Sequence, residues 1–368
     1  MTGFPSLLHS DDEQQLRETV RRQLAARADW PSVLKRVESD DPSDADTWRK
    51  LAAETGAAGL PVPEELGGAG ASWRETAVVA EELGRSLAIV PFLGSAVLAT
   101  AALLHCGETE LLAGVASGER TAVLAVPLST WPGSAFPASV TVDGGALTGR
   151  VTSVADAGAA DVLLVPATGP GGLSLWVVEA FEVTPRTSLD MTRPLGDVTL
   201  CAAQGRQVAE GAAAEAALQQ ALTVGAGILA SEQLGLAEQC LETTIAYLKQ
   251  RYQFGRPIGS YQAIKHRAAL LWVEVTRARA TARYAAGCLA TQDPDVDVAV
   301  AVAAAICSDV AVLAAEECVQ LHGGLGFTWE HPAHLWLKRA KADQIALGTP
   351  DRHRAAIAAL VDLPLGAG

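Results

Sequence analysis

Apolar and polar positions alternate at helical spacing through the first part of the chain. The stretch "DDEQQLRETVRRQLAAR" begins with acids and ends with bases, the order that a helix dipole favours. A Gly/Pro-rich break, "AAGLPVPEELGGAGAS", is followed by the amphipathic "WRETAVVAEELGRSLA" and an apolar run. This pattern predicts a helical N-terminal domain over residues 1–120.

Between residues 121 and 208 the helical spacing of apolar positions gives way to the shorter spacing of strands. "TAVLAVPL", "ASVTVDGGALTGRVTSV" and "DVLLVPATGPGGLSLWVVEA" are short runs rich in β-branched residues. Within the second run, Asp143-Gly144-Gly145 separates two alternating segments and is typical of a tight hairpin turn. We therefore predict a small β domain at 121–208.

Long helical periods return from residue 209 and continue nearly to residue 368. Their apolar positions include several leucines: Leu218, Leu222, Leu229, Leu236 and Leu248. The last region is predicted to be a helical bundle.

Composition restricts the possible partners. The 368 residues are 49% hydrophobic and 19% charged, which is typical of a globular protein, and the formal net charge is −14. Such a charge, without a basic stripe, argues against nucleic acid or an anionic membrane as the main partner. The apolar run "SLAIVPFLGSAVLATAALLH" is interrupted by Pro91 and Gly94, so it predicts a buried helix and not a membrane span.

The cysteines and the N-terminus indicate a reduced, cytoplasmic protein. The six cysteines are widely spaced and form no C-x-x-C pair, and acids stand where a signal peptide needs a basic start. His331 and His334 bracket a proline turn without a third ligand nearby, so no metal site is expected.

The first candidate binding stretch is "RYQFGRPIGSYQAIKH", residues 251–266. It follows a long predicted helix, turns at its glycines and restarts a helix. Arg251 at the helix end could place two donors on a pyrophosphate, and Phe254 could lie against a flat ring. A surface arginine and a core phenylalanine at an ordinary helix turn explain the same residues.

The second stretch is "QLHGGLGFTWEHPAHLW", residues 320–336. Gln320 offers an amide, and the glycines let the backbone approach a ligand closely. Because this loop does not follow a predicted strand, it is neither a dinucleotide-binding fingerprint nor a P-loop.

Together the two stretches resemble the acyl-CoA dehydrogenase family, with its R-x-x-F-G-x-x-I-x-x-x-Q-x-x-x-H and Q-x-x-G-G-x-G-F signatures. The order of helices, small β-barrel and four-helix bundle is similar to that family over the whole chain. The fold class that the resemblance implies is therefore α+β, with a helical N-terminal domain at 1–120, a middle β-barrel at 121–208 and a C-terminal four-helix bundle at 209–368.

In that family FAD binds across a subunit interface. A glutamate removes the α-proton of an acyl-CoA, and the β-hydrogen leaves as hydride to the flavin. The resemblance implies that the ADP half of FAD faces Arg251, Phe254 and Gln262, joined from a neighbouring chain by Gln320, Gly323 and Gly324.

The family's catalytic glutamate has no counterpart here. It normally stands directly before Gly-Thr, and this chain has Leu347 at that position. Some members place the base on the preceding long helix, where this chain has Gly225. Neither side chain can accept a proton. Asp343, one helical turn before Leu347 on the same helix face, and Glu232 on the long helix are alternative bases, although each is better explained as a solvated or ion-paired acid.

The flavin-ring segments of the family also differ here. The corresponding stretches resemble "AVPLSTWPGSA" at 125–135 and "GRVTSVADAGAAD" at 149–161, which keep hydroxyls and small residues without the family's pattern. Thr349 persists and is expected to cap a final helix, with a second possible role near the flavin pyrophosphate.

Three hypotheses follow. The favoured one is a degenerate subunit of a heteromeric acyl-CoA dehydrogenase, an α2β2 assembly in which this chain completes the FAD site of a homologous partner. By resemblance, such an enzyme would act on a bulky or steroid-linked acyl-CoA and pass electrons to an electron-transfer flavoprotein. The others are a homo-oligomeric dehydrogenase with a relocated base, and a flavin-free acyl-CoA-binding or scaffold protein.

Overall fold

Helices form the first part of the chain, as the pattern predicts. The computed structural model describes residues 5–39 and 41–363. The helices of this part are α1 (Asp11–Arg27), α2 (Trp30–Val37), α3 (Ala45–Thr55), α4 (Trp73–Ser86), α5 (Thr100–Cys106) and α6 (Thr109–Ala116). Capping boxes fix the starts of α1 and α4: Ser10 and Glu13 bond reciprocally, as do Ser72 and Glu75.

The apolar run of residues 86–105 forms a buried helix, as predicted, but the helix begins only at Phe92, after Pro91. It starts with a π-helical segment, Phe92–Ala99, and continues into α5. By length and composition, Val296–Phe327 is the one segment of the described chain that could cross a membrane. Because 72% of its most apolar window is buried inside the protein, it is better explained as a core helix.

A closed barrel forms the middle part. Its strands are β1 (Ala122–Leu124), β2 (Val140–Asp143), β3 (Ala146–Ala155), β4 (Val162–Gly169), β5 (Gly172–Val178), β6 (Glu182–Arg186) and β7 (Leu195–Glu210). The ring closes through the pairs β4–β2, β2–β3, β3–β7, β7–β5 and β5–β4. The predicted hairpin is confirmed: Asp143 pairs with Ala146, and Gly144 and Gly145 both have positive φ, as a type I′ turn requires.

The last part is a helical bundle, and the predicted α+β architecture is confirmed. Its helices are α7 (Gly211–Gln250), α8 (Gln262–Thr291), α9 (Val296–His322), α10 (Ala333–Asp343) and α11 (Pro350–Leu360). A short hairpin of β8 (Tyr252–Gln253) and β9 (Arg256–Pro257) links α7 to α8. Pro350 occupies the first turn of α11, and Thr349 caps it as predicted.

Two glycines let α4 cross α7 at backbone distance. A Cβ on Gly235 would lie 1.8 Å from the Glu81 carbonyl oxygen, and one on Gly84 would lie 1.9 Å from the Glu232 carbonyl oxygen. No other residue fits at either position. This crossing fixes the N-terminal domain on the bundle and holds Glu232 in the interior.

Candidate functional site

The hairpin between α7 and α8 projects into solvent. Phe254 and Gly255 form its tip with φ values of 52° and 78°, and the Phe254 side chain is 92% exposed. Arg251 caps the end of α7, and its carbonyl accepts the Ile258 N–H at 2.8 Å. Arg251 and Gln262 are both exposed, so the first motif presents its polar groups outward. Phe254 is therefore not a core residue.

The glycine turn after α9 is also open. Gly323 has φ +60°, and a Cβ added at Gly323 or Gly324 would meet no atom within 4 Å. No neighbour in the described chain therefore requires a glycine at position 324, whereas close approach of another molecule would. Gln320 is exposed one turn earlier. This geometry fits a ligand that reaches the backbone from outside the chain.

A stack of aromatic and imidazole rings brings the two motifs together. The Tyr247 ring, one turn before Arg251, stacks on His322 at a centroid distance of 4.4 Å, and His322 lies 4.2 Å from His331. His322 directly precedes the glycine turn. Both motifs therefore lie at the same end of the bundle in a single chain, whereas the resemblance implied that Gln320, Gly323 and Gly324 join the first motif from a neighbouring chain. We call this exposed region, which contains Arg251, Phe254, Gln262, Gln320, Gly323 and Gly324, the ADP corner.

The two positions where a base is expected face each other in the interior. Leu347 is 1% exposed and has φ +52°, in the turn after α10. A Cβ on Gly225 would lie 3.0 Å from Leu347 Cδ1 and 2.4 Å from Leu98 Cδ2. Aliphatic groups thus occupy the space between the two positions, and a carboxylate introduced there would have no polar partner among these contacts.

The segment at 125–135 closes over the Leu347 turn. The Leu128 carbonyl accepts the Leu347 N–H at 2.8 Å, and the Leu128 N–H donates to the Ser153 carbonyl at 3.0 Å. Leu128 therefore joins both segments that correspond to the family's flavin-ring segments directly to the turn at the base position. At Leu128 the two segments and the Leu347 turn are therefore in direct hydrogen-bonded contact.

Side chains hold this closed arrangement in place. The Trp131 ring lies beneath the Arg352 guanidinium at 3.7 Å, and Gln219 accepts the Gly133 N–H at 2.7 Å while donating to the Ser134 carbonyl at 3.0 Å. The cavity that remains beside Leu347 measures about 10 Å³. Because a pocket for a ring system needs roughly 300 Å³ or more, an isoalloxazine does not fit beside Leu347 in this chain.

The two alternative bases are held in a buried cluster of charges. Arg339 donates to Asp190, Glu232 and the Thr192 carbonyl, while Arg193 donates to Glu232. Burial opposes ionisation of Glu232, but Arg193 and Arg339 lower its pKa overall. Glu232 is therefore an ion-paired carboxylate and not a free base.

Asp343 belongs to the same cluster. Its Oδ1 lies 3.5 Å from Arg193, its Oδ2 has no hydrogen-bond partner, and burial raises its pKa to about 7. Asp343 was expected one helical turn before Leu347 on one helix face. That expectation is wrong because α10 ends at Asp343 and Leu347 lies in a left-handed turn. The side chain does not face an open cavity.

Sequence reasoning missed the residues that close the interior. The role of Leu128 depends on backbone bonds, which leave no mark on residue type. Trp131 within "STWPGSA" is a partial signal, since a tryptophan in a Gly/Pro turn needs an apolar or cationic surface to cover it. Arg339 stands 149 residues after Asp190, too far for any spacing rule to connect it with Asp190 and Arg193.

Comparison with known proteins gives a consistent result over the whole chain. The profile "Acyl-CoA dehydrogenase, N-terminal domain" matches residues 10–119, and "Acyl-CoA dehydrogenase, C-terminal domain" matches residues 215–361. Among the relatives, the acyl-CoA dehydrogenase IpdE2 of Mycolicibacterium smegmatis is 36% identical over 341 residues, covering 93% of this chain and 96% of the relative.

Two solved structures are also similar. The ChsE4-ChsE5 complex from Mycobacterium tuberculosis contains a chain that superposes with a TM-score of 0.86 at 29% identity, covering 98% of this chain and 100% of that chain. A variant of the Tcur3481-Tcur3483 steroid ACAD superposes with a TM-score of 0.83 at 30% identity, covering 96% and 98%. Each of these two structures bears the names of two proteins.

Proposed function

Because this chain belongs to the acyl-CoA dehydrogenase family, we propose that it is the non-catalytic subunit of an FAD-dependent heteromeric dehydrogenase and completes the FAD site of a homologous partner. Members of the family bind FAD, as in the FADH2 complex of a mycobacterial glutaryl-CoA dehydrogenase. The observation that carries the proposal is the filled interior beside Leu347, where the Leu128 backbone bonds two neighbouring segments and the remaining cavity measures about 10 Å³.

The ADP corner is the part of this chain that still fits the cofactor. Its exposed groups would hold the ADP half of a flavin whose ring lies in the partner: Arg251, Phe254, Gln262, Gln320, Gly323 and Gly324. A bound FAD would supply the hydride acceptor needed to oxidise an acyl thioester. The Arg251 guanidinium would neutralise the pyrophosphate with paired donors, and the glycine turn would admit the cofactor at backbone distance.

Thr349 has a smaller part in this proposal. Its hydroxyl accepts the Arg352 N–H at 3.4 Å, so capping of α11 already uses the oxygen. The residue lies directly after the closed turn at Leu347 and Gly348, not at the ADP corner. We therefore propose that Thr349 stabilises the start of α11 and does not contact the cofactor.

The partner would supply the catalytic carboxylate and the ring pocket. A second homologous chain, in an α2β2 assembly located in the cytoplasm, satisfies both needs. The similarity to a steroid ACAD supports a bulky, steroid-derived acyl-CoA as substrate. An electron-transfer flavoprotein is the proposed electron acceptor.

Flavin content per chain tests this function. We would measure flavin absorbance for the chain expressed alone and for the chain co-expressed with a homologous acyl-CoA dehydrogenase encoded beside it. The expected result is little flavin alone and about one FAD per pair of unlike chains in a stable complex. One FAD per solitary chain with turnover would instead establish a relocated base, and a colourless complex would establish the flavin-free scaffold.

Arg251→Ala tests the ADP corner directly. The exposed side chain is not needed for folding, so the complex should assemble while its flavin dissociates at least about tenfold more readily, the effect of one lost charge-assisted contact. Filtration of the complex followed by absorbance measures the retained flavin. Arg120→Ala, which removes an exposed arginine paired with Glu179 on another face, is the matched control and should retain its flavin. A full flavin complement in Arg251→Ala would overturn this assignment.

A further inference from the structure

Several buried polar atoms in and beside the charge cluster have no hydrogen-bond partner within the described chain. They include Asp343 Oδ2, Ser308 Oγ and Arg193 Nε, on residues that are at most 6% exposed. Nearly all buried polar atoms in proteins bond either to other protein groups or to ordered water. A molecule other than the chain is therefore needed to satisfy these three atoms.

Two of the three atoms belong to residues around one small cavity. This cavity, which we call the Asp343 cavity, lies between α7, α9 and the turn after α10, and its lining includes Ser308, Asp343, Leu347 and His353. Its volume is about 10 Å³. Ser308 reaches it from α9 and Asp343 from the end of α10, so two helices each contribute an oxygen without a partner.

The third atom belongs to a residue beside a second cavity of the same volume. The Arg193 cavity measures about 10 Å³, and its lining includes Asp156, Thr192, Arg193 and Glu232. Arg193 Nε is a hydrogen-bond donor, whereas Asp156 and Glu232 supply carboxyl oxygens that accept. Donor and acceptors therefore line the same space.

Volume and polar groups together restrict what these cavities can bind. A cavity needs roughly 10–15 Å³ to hold one water molecule, so neither cavity admits anything larger. Water donates and accepts hydrogen bonds, which suits a carboxyl group beside a hydroxyl as well as a guanidinium beside carboxylates. Within the described residues, no group of three acidic, histidine or cysteine side chains is arranged to hold a metal ion.

We propose that each cavity binds one internal water molecule. In the Asp343 cavity, the water bonds to Asp343 Oδ2 and Ser308 Oγ and so bridges α10 to α9. In the Arg193 cavity, the water accepts the Arg193 Nε–H and donates to a carboxyl oxygen of Asp156 or Glu232. This inference does not depend on the proposed function.

The water in the Asp343 cavity suits both protonation states of the carboxyl group. Burial raises the pKa of Asp343 to about 7, so both forms are populated near neutral pH. The protonated carboxyl group can donate to the water or accept from it, and the ionised form accepts from it. One water beside Leu347 thus satisfies Asp343 in either state.

Crystallography of the complete chain, alone and in its complex, tests the proposal at a resolution that shows ordered waters. The expected result is one density peak in each cavity. The first peak should lie within about 3.2 Å of Asp343 Oδ2 and Ser308 Oγ, and the second within about 3.2 Å of Arg193 Nε. Crystals grown in rubidium chloride distinguish water from a monovalent cation, because rubidium scatters anomalously and water oxygen does not.

Magnetic relaxation dispersion of water oxygen counts long-lived internal waters in solution. Ser308→Val removes the hydroxyl and fills the Asp343 cavity, so the count should fall by one relative to the wild type. Ser231→Ala is the matched control, because Ser231 is 1% exposed on α7 and lines neither cavity; its count should not change. The wild-type crystal structure decides the question independently if Ser308→Val does not fold.

Other results would overturn the proposal. A cavity without a density peak would refute the assignment of that cavity, and a direct hydrogen bond between Ser308 and Asp343 would mean that the two side chains satisfy each other. An anomalous rubidium peak would replace the water with a cation. An unchanged count in folded Ser308→Val would contradict a long-lived water there. The solitary chain gives these results whether or not the half-site proposal is correct.

Discussion

Leu347 combines an unfavourable backbone conformation with complete burial. Its φ of +52° is uncommon for a residue with a branched side chain, yet the side chain is 1% exposed and packs toward Gly225 and Leu98. Burial of a leucine stabilises a fold by about 1.5–3 kcal/mol, more than the cost of a single left-handed residue. The residue is therefore held by packing, and it fills space that a catalytic acid would need.

Leu347→Glu should consequently destabilise the chain without giving it activity. The new carboxylate would be buried among aliphatic side chains, at a cost of about 3 kcal/mol or more. Urea denaturation measures the loss, and an acyl-CoA dehydrogenation assay of the solitary chain measures activity. Leu347→Met keeps the volume and should cost less than about 1.5 kcal/mol. Turnover by solitary Leu347→Glu would contradict the closed interior described here.

At the scale of elements, the buried charge cluster joins α7, α10, the loop before β7 and the turn after β3. Arg339 and Arg193 face four buried acids: Asp156, Asp190, Glu232 and Asp343. The two positive charges of the arginines cannot neutralise four ionised carboxylates, so some of these carboxyl groups must be protonated. Burial raises the pKa of Asp156 to about 6 and that of Asp343 to about 7.

These raised pKa values predict that Asp156 and Asp343 contribute stability that is lost as the pH rises. The ordinary pKa of an aspartate is 3.8, so from about pH 4 to pH 7 the folded chain holds protons that the unfolded chain has released. The free energy of unfolding then decreases with pH by up to roughly 1.4 kcal/mol per pH unit for each such group. Asp343→Asn removes one of these groups and should make the decline shallower.

Urea denaturation between pH 4.5 and 8 measures this slope. Asp351→Asn is the matched control, because that carboxylate is 92% exposed and the substitution should leave the slope unchanged. An unaltered slope in Asp343→Asn would mean that Asp343 is ionised in the folded chain throughout this range.

Local patterns predicted the elements better than they predicted their contacts. The β2–β3 hairpin follows from Gly144-Gly145, and the turn after α7 follows from its glycines, because both depend on neighbouring residues alone. The charge cluster could not be predicted in this way. Its members lie between residues 156 and 343, and only the crossing of α4 and α7 and the docking of α10 bring them together.

At the scale of the whole molecule, the sequence predicted three parts and, by resemblance, two motifs at a subunit interface, but not the closed interior beside Leu347. That closure needs Leu128 to bond Ser153 and Leu347 at once, and these residues come from the barrel and the bundle. A domain interface of this kind depends on how the parts dock. Residue types at 125–135 indicate only that the family's pattern is missing.

We propose that the partner subunit docks on the apolar side chains exposed on α8. Leu270, Trp272 and Val273 are 68%, 56% and 53% exposed, and α8 starts at the hairpin of the ADP corner. Exposed apolar side chains on one helix are typical of a subunit interface, and the proposed cofactor site lies at the start of the same helix. A flavin shared between chains requires such an interface next to its ADP half.

Trp272→Asp should therefore prevent assembly without unfolding the chain. The Trp272 side chain already contacts solvent in the isolated chain, so the midpoint of thermal unfolding of the isolated variant should change little. A charge placed within an apolar interface, by contrast, should weaken binding of the partner by several kcal/mol. Size-exclusion chromatography of the co-expressed chains measures assembly. Leu8→Asp, at a side chain 75% exposed on the N-terminal segment, should leave the complex intact. If Trp272→Asp still forms a complex with bound flavin, the partner must dock elsewhere, and the ADP corner would then have to be reached from a surface other than α8.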